Sequence, residues 1–406
     1  MRETSRPDPP GTAARRAALR LLDAVLRKGL PLESALDTAA RELDRADDRA
    51  FAHAIAAEAL RRLPDLDELI DHATKKRLPD DAKARFALRI ALVQALAMGT
   101  PHHAAIATVL PLVDGGPRRL VHGVFSEVMR QKWTLPEVPH LPAGVAERWR
   151  RAWGAEVVAA AERLIALPPP LDLIGEPPAD LEGISLMPGH LRLARGTAIA
   201  GLTGYGEGRW WVQDVSASMP ARLLGPGEGR SALDLCAAPG GKTMQLAAAG
   251  WRVSAVDISQ NRLARLEENL ARTGLAAETV QADVMQWAPP APVDAILLDA
   301  PCSATGIYRR HPDVLHRVRP RAIAALAEAQ QAMLARAADW LKPGGSLVYA
   351  VCSLEPEEGE EVAQAFLSAR GDFRLEERQR ILPGAYEEAG GADSFFIARF
   401  IRNNRG

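Results

Sequence analysis

Ser-Ala-Leu-Asp-Leu-Cys-Ala-Ala-Pro-Gly-Gly-Lys-Thr, residues 231–243, runs from a short apolar stretch through a proline and two glycines into a helical pattern that continues to Ala249. Ala232, Leu233 and Leu235 read as a buried parallel strand, and Thr243 to Ala249 as the helix that follows. Glycines at 240 and 241 let backbone approach a ligand where a β-carbon would stand, and the amides heading the helix face its carboxylate or phosphate. A phosphate loop is excluded, because it needs a glycine five residues before the Gly-Lys pair and position 236 is Cys. A strand-to-helix turn without a ligand is the plain alternative for a lone Gly-Gly, and acidic residues at later strand ends argue against it.

Downstream, strands and helices alternate to near the C-terminus, which predicts a right-handed parallel sheet. Asp257 ends the second strand, Arg252–Val256, where an acid about twenty residues past the turn accepts both hydroxyls of a ribose. Asp283 ends the third, within Val280–Val284, in place for an adenine amino group. The set fits an adenosine-bearing cofactor. NAD would bring Gly-x-Gly-x-x-Gly, which is absent, so S-adenosylmethionine fits better, with Cys236, Ala237, Ala238, Pro239, Gly240, Gly241 and Lys242 as its candidate loop and S-adenosylhomocysteine as product. The fourth strand, Ala295–Leu298, runs into Asp299-Ala300-Pro301-Cys302-Ser303, and the fifth, Ser346–Ala350, delivers Val351-Cys352-Ser353. Two cysteines thus end adjacent strands beside a methyl donor. A pyrimidine C5 is too weak a nucleophile to take a methyl group unaided, and a thiolate added to C6 places electron density there. One cysteine suffices for addition and a second can assist release; the residues alone do not order the two.

At 406 residues, 47% hydrophobic and 25% charged, the chain is long enough for two or three soluble domains. No apolar run has membrane-spanning length and the start lacks the apolar centre of a secretory signal, so a cytoplasmic, membrane-free protein is expected. The net charge of −1 requires any nucleic-acid surface to be local. Cys236, Cys302 and Cys352, the three cysteines, are too far apart in sequence for a Cys-x-x-Cys site, and no metal is expected. His102 and His103 read as a helix start. Residues 1–10, rich in proline, predict a disordered tail. Thr12 to about Lys132 reads as wholly helical, with Ala18, Leu22, Val25 and Leu26 on one face and Arg16, Arg20 and Arg27 on another; such arginines more often face solvent than RNA. Phe86–Met98, apolar nearly all round, belongs in the middle of a bundle. Prolines 136, 139 and 142 mark a linker, Val145–Leu167 a helix, and Leu171–Leu202 a small α+β region. Trp210 and Trp211 read as packing, with Gln213 and Asp214 at the pocket's border. Arg309, Arg310 and His311, followed by Arg317, Arg319 and Arg321, form the local basic cluster expected to meet RNA phosphates and unpaired bases.

Ala18 to Arg130, with Asp48-Arg49-Ala50-Phe51, Ala59-Leu60-Arg61-Arg62, Leu88-Arg89-Ile90-Ala91, Thr100-Pro101-His102-His103-Ala104 and Leu120-Val121-His122-Gly123-Val124-Phe125, resembles a NusB-type RNA-binding helical domain. Leu233–Thr243, Asp257, Asp283, Asp299–Gly306 and Tyr349–Glu358 resemble the signature set of RNA cytosine-C5 methyltransferases of the Nop/Sun family. The resemblance implies a multidomain protein: an all-α NusB-like domain (11–133), a linker helix and small α+β, RNA-recognition-like region (134–205), and an α/β Rossmann-like class I methyltransferase (206–406). It further implies that Cys352 attacks, that Cys302 assists release, that Asp299 orients the cytosine or the cofactor's methyl end, and that the substrate is 16S rRNA with an exposed loop cytosine, modified by a monomer. A tRNA or other rRNA enzyme and a non-catalytic RNA-binding assembly factor are the alternatives. A scaffold would have no use for a thiol at 352.

Overall fold

The computed structural model describes residues 8–194 and 196–404, which form two compact units. One comprises the chain up to Arg151 with 161–166 and 310–318; the other comprises 152–160, 167–309 and the chain from 319 onward. Residues 1–7 of the expected disordered tail lie outside the described residues. Its last part is tied down, the Pro9 carbonyl accepting from the Thr12 hydroxyl at 2.8 Å.

The first unit is a bundle of α1 (Thr12–Leu26), α2 (Leu32–Ala39), α3 (Ala46–Arg61), α4 (Leu63–His72), α5 (Lys83–Leu96), α6 (His102–Val109) and α7 (Gly115–Gln131). As its pattern requires, α5 is central, and Ala84 to Gln94 are buried without interruption. Two arginines go inside with it. A buried guanidinium is tolerated where carboxylates meet it, and α4 supplies them: Arg89 donates twice to Asp67 at 2.8 Å, and Arg85 reaches Asp71 at 2.6 and 3.0 Å. The expected single helix over 145–167 is two, α8 (Ala143–Trp153) and α9 (Ala155–Ala166), because Gly154 adopts φ 90° and turns the chain.

In the second unit a small antiparallel sheet, β2 (His190–Leu193), β1 (Leu171–Gly175) and β3 (Trp210–Val212) in that order, forms the insert. β3, three residues that show no alternation in sequence, pairs with β1, so the insert extends past the expected boundary at 205. Asp172 of β1 is buried and accepts from Arg192 at 2.7 and 2.8 Å. The main sheet has the order β6 (Glu278–Gln281), β5 (Arg252–Asp257), β4 (Ser231–Leu235), β7 (Val293–Asp299), β8 (Leu341–Val351), β10 (Phe395–Arg402), β9 (Phe373–Ile381). Helices α10 (Met219–Arg222), α11 (Gly241–Ala248), α12 (Gln260–Thr273), α13 (Val314–Arg317), α14 (Pro320–Asp339) and α15 (Glu360–Ala369) complete the chain, α13 lying in the helical unit. β6 to β8 pair in parallel. The expectation of a parallel sheet fails for β9 and β10, which pair antiparallel: residues 382–394 between them hold only the 3-10 turn Glu387–Ala389 and no helix to cross the sheet, the usual connection between parallel strands.

Candidate active site

Parallel pairing carries the ends of β5, β4, β7 and β8, which are Asp257, Leu235, Asp299 and Val351, to one edge of the sheet. In an open α/β sheet ligands bind at that edge. Cys236, Cys302 and Cys352 all follow these strand ends and are half-buried free thiols.

The turn from β4 to α11 is built around two left-handed residues, Cys236 at φ 60° and Gly240 at φ 104°. Here the sequence reading needs correcting. A β-carbon on Gly240 would stand 2.7 Å from Leu266 Cγ, and one on Gly241 3.0 Å from the Gln213 side chain, so neighbouring protein, rather than a ligand, demands these glycines. Gln213 is held in turn by Trp211 Nε1 at 2.8 Å and Gln245 at 2.9 Å, and both tryptophans are buried packing. Asp257 accepts from the Ala238 amide at 3.1 Å and the Ser259 amide at 2.9 Å. It braces the turn while each oxygen keeps a lone pair. Asp283 lies two residues past β6, its carboxylate accepting from the Met285 amide at 2.8 Å. The Ala282 amide beside it donates to the Asp257 carbonyl at 3.1 Å. With the first amides of α11, which have no acceptor inside the helix, these acids form a set of donors and acceptors that fits S-adenosylmethionine. Beneath the turn Asp234 accepts from the Thr243 hydroxyl at 2.6 Å, and burial pushes its carboxyl up to about 7.

Lys242 points from α11 to Asp299, Nζ to Oδ2 2.7 Å. Burial opposes its charge, but Asp299, Asp234 and Cys352 outweigh it and hold the ammonium above its ordinary value. Past Asp299 the loop places Cys302 Sγ 3.5 Å from Cys352 Sγ. Contact with Cys352, burial and the charge of Glu358 all keep the proton on Cys302, well above the usual thiol range. The loop reaches this position because Gly306 lies where a β-carbon would come within 2.2 Å of the Ser394 carbonyl and 3.0 Å of that of Cys352.

Family-model matches cover residues 12–130, for the NusB family, and 221–401, for 16S rRNA methyltransferase RsmB/F. A Klebsiella pneumoniae protein named ribosomal RNA small subunit methyltransferase B is 34% identical over 432 residues, spanning 96% of this chain and 98% of that one. The chain belongs to the RsmB/F family. It is an S-adenosylmethionine-dependent rRNA methyltransferase with a NusB domain in front. The RsmB/F fold is matched by the crystal structure of PH0851 (TM-score 0.73, 20% identity, 98% of this chain and 100% of that one). It is matched also by NSun6 from Pyrococcus horikoshii with SFG (TM-score 0.57, 20% identity, 65% and 99%).

Glu358 is the site residue that sequence reasoning left without a role in this RsmB/F chain. Fully buried, it accepts from the Ser303 amide at 2.8 Å, the Ser303 hydroxyl, the Ser353 hydroxyl at 2.5 Å and Gln330 at 3.1 Å. One carboxyl therefore ties the residue after Cys302 to the residue after Cys352. Burial pushes it up against the pull of these donors. The signal was present in sequence as a Cys-Ser pair on each loop and an acid at 358, but no spacing rule links them. The basic cluster, by contrast, is not one surface. Arg309 is buried and donates to the Gly390 carbonyl, so it packs and does not face RNA. His311 lies 3.9 Å from Glu33, Arg317 is paired with Asp313 at 2.8 Å, and His316, pushed down to about 4 by burial, meets the Leu60 carbonyl at 2.7 Å. Arg16 and Arg20 are paired with Asp8 and Glu42 at 2.9 and 3.0 Å. Among the described residues no group of three or more His, Cys, Asp or Glu is arranged to hold a metal ion, and no helix is long and apolar enough to cross a membrane.

Proposed function

We propose that this methyltransferase modifies C5 of a cytosine in 16S rRNA through a covalent bond between Cys352 and C6. The observation that carries the reading is the pair of sulfurs 3.5 Å apart beside the Lys242–Asp299 ion pair. S-adenosylmethionine, held by residues 236–242, Asp257 and Asp283, supplies an electrophilic methyl group. Cys352 adds as a thiolate to C6, and the C5=C6 electron pair becomes available at C5, the carbon that carries the methyl group in the product. Asp299 accepts from the exocyclic amino group, and Lys242 balances its charge. Solvent water takes the proton from C5, the C5–H electron pair re-forms the ring double bond, the C6–S bond breaks and Cys352 departs as thiolate. Cys302, a thiol within hydrogen-bonding reach, donates to the departing sulfur and lowers the barrier to release. The name of the matched family supports 16S rRNA as substrate. A loop cytosine is required, because a paired base cannot present C6 to a thiol. Arg310 remains a candidate RNA contact, and the enzyme is read as acting as a monomer.

Bisulfite sequencing of RNA from cells with and without the gene tests the reading. A 16S cytosine protected from conversion only when the gene is present is the expected result. Protection lost from a tRNA or another rRNA while the 16S pattern stays unchanged would overturn the substrate, and no change in any RNA would overturn the C5 chemistry.

A further inference from the structure

The helical unit carries a groove of about 960 Å³ between the α4–α5 connection and α7, walled by Lys75, Lys76, Arg77, Arg119, Leu120 and Trp133. Glu127, the only carboxylate among its described lining residues, is engaged by Arg130 at 2.6 Å and Gln131 at 2.8 Å. Arg77 is likewise engaged, by Asp71 at 3.2 Å and Asp80 at 2.6 Å. Lys75, Lys76 and Arg119 are different. They are exposed and make no ion pair among the described residues. Trp133, half-buried, stands edge-on to His72 with ring centroids 4.5 Å apart, which fixes the plane of the indole.

Single-stranded nucleic acid asks for this combination. Cations with no internal partner can exchange solvent and counterions for phosphates, and an aromatic ring held in one orientation offers a face to a base at little cost in side-chain entropy. The α1 face lacks the first property, since Arg16 and Arg20 already have carboxylate partners. We propose that the helical unit takes hold of unpaired rRNA nucleotides in this groove and not on the Arg16–Arg20 face of α1. The proposal rests on rRNA being the substrate.

Two triple variants of the full chain with equal charge loss separate the faces: K75A/K76A/R119A in the groove and R16A/R20A/R27A on the α1 face, where Arg27 too is paired, with Asp23 at 2.8 Å. All six positions are at the surface, and unchanged affinity for S-adenosylhomocysteine checks that each variant is folded. Affinity for a 16S rRNA transcript and for an oligouridylate is measured across a salt series. The groove variant should bind about tenfold more weakly, with the slope of log affinity against log salt reduced by about 2, as expected for three lost phosphate contacts on a single strand. The α1 variant should stay within about threefold of wild type. A groove variant that binds like wild type, or an α1 variant that loses as much or more, overturns the proposal while leaving the rRNA reading intact. A wild-type protein that binds neither RNA overturns both.

Discussion

The loops that follow β7 and β8 carry the same dipeptide, Cys302-Ser303 and Cys352-Ser353, and their sulfurs are neighbours, yet their electrostatic settings are opposite. Cys302 faces the charge of Glu358, which with Cys352 and burial keeps its proton on. Cys352 faces Lys242, whose ammonium it helps to hold. Two thiols of one residue type thus meet fixed charges of opposite sign, and a nearby anion disfavours a thiolate where a nearby cation favours it. The contrast supports the proposed order of two cysteines that the residues alone left unordered. The harshest way to break the comparison is to remove each sulfur in turn. Under the proposed mechanism Cys352→Ala should lower methyl transfer by at least about ten-thousandfold, the scale seen when a nucleophile is deleted. Affinity for S-adenosylhomocysteine, read by calorimetry, should stay within about twofold. A C352A protein that still turns over would take the covalent step away from position 352. Cys302→Ala should lower turnover by about a hundredfold and leave protein bound to RNA, seen as a band that survives denaturing electrophoresis. Normal turnover with no such band would leave Cys302 without a part in release.

A gentler test keeps both sulfurs and removes the carboxyl between them. Glu358→Ala cuts three hydrogen bonds to the two loops and a fourth to Gln330 of α14, and a misplacement of about 1 Å at a reacting group costs on the order of a hundredfold in rate. Glu358→Gln keeps the shape and most of the bonds while removing the charge. The sign follows from the cause: a nearby negative charge raises the Cys302 thiol, so its loss lets the proton leave at lower pH. Peptide-level mass spectrometry of iodoacetamide labelling across a pH series should show Cys302 modified at lower pH in E358Q than in wild type. Tyr349, Asp299, Lys242 and Arg380 also face this cluster and are unchanged in the variant. An unmoved Cys302 profile would reduce Glu358 to a packing role.

The same contrast explains what could be read from the sequence. The residues at the sheet edge were legible because parallel strands deliver their C-terminal ends to one place, so a motif at each strand end needs no knowledge of the distance between them. The parallel strands, the central helix α5 and the two cysteine loops came from such local signals. Pairing partners did not. That Arg309 is buried and Arg317 is paired with Asp313 depends on what folds over the segment 309–317, and a run of arginines looks the same in either case. The pairing of β9 with β10 was missed for a related reason: strand direction is decided by the connection, and residues 382–394, with one 3-10 turn over Glu387–Ala389, carry no strong sequence signature. Glu358 was quoted within a motif, but its link to Ser303 spans fifty-five residues.

Cys236 supplies the smallest effect and the sharpest control. It too follows a strand at the ligand edge, and burial, with Asp299, Asp257 and Asp234 nearby, pushes its thiol up to about 12. At pH 8 such a thiol is ionised to only about one part in ten thousand, and the thiolate is the reactive species. Its backbone is left-handed at φ 60°, which alanine tolerates no worse than cysteine, and its side chain only borders the core. Cys236→Ala should therefore keep methyl transfer within about threefold and cost on the order of 1 kcal/mol of stability, the price of a small partly buried group. In wild type, Cys236 should react with iodoacetamide more slowly than Cys352, the proposed nucleophile. If C236A lost activity as C352A does, position at a strand end would matter and the neighbouring charge would not, and the distinction drawn between the other two loops would fail with it.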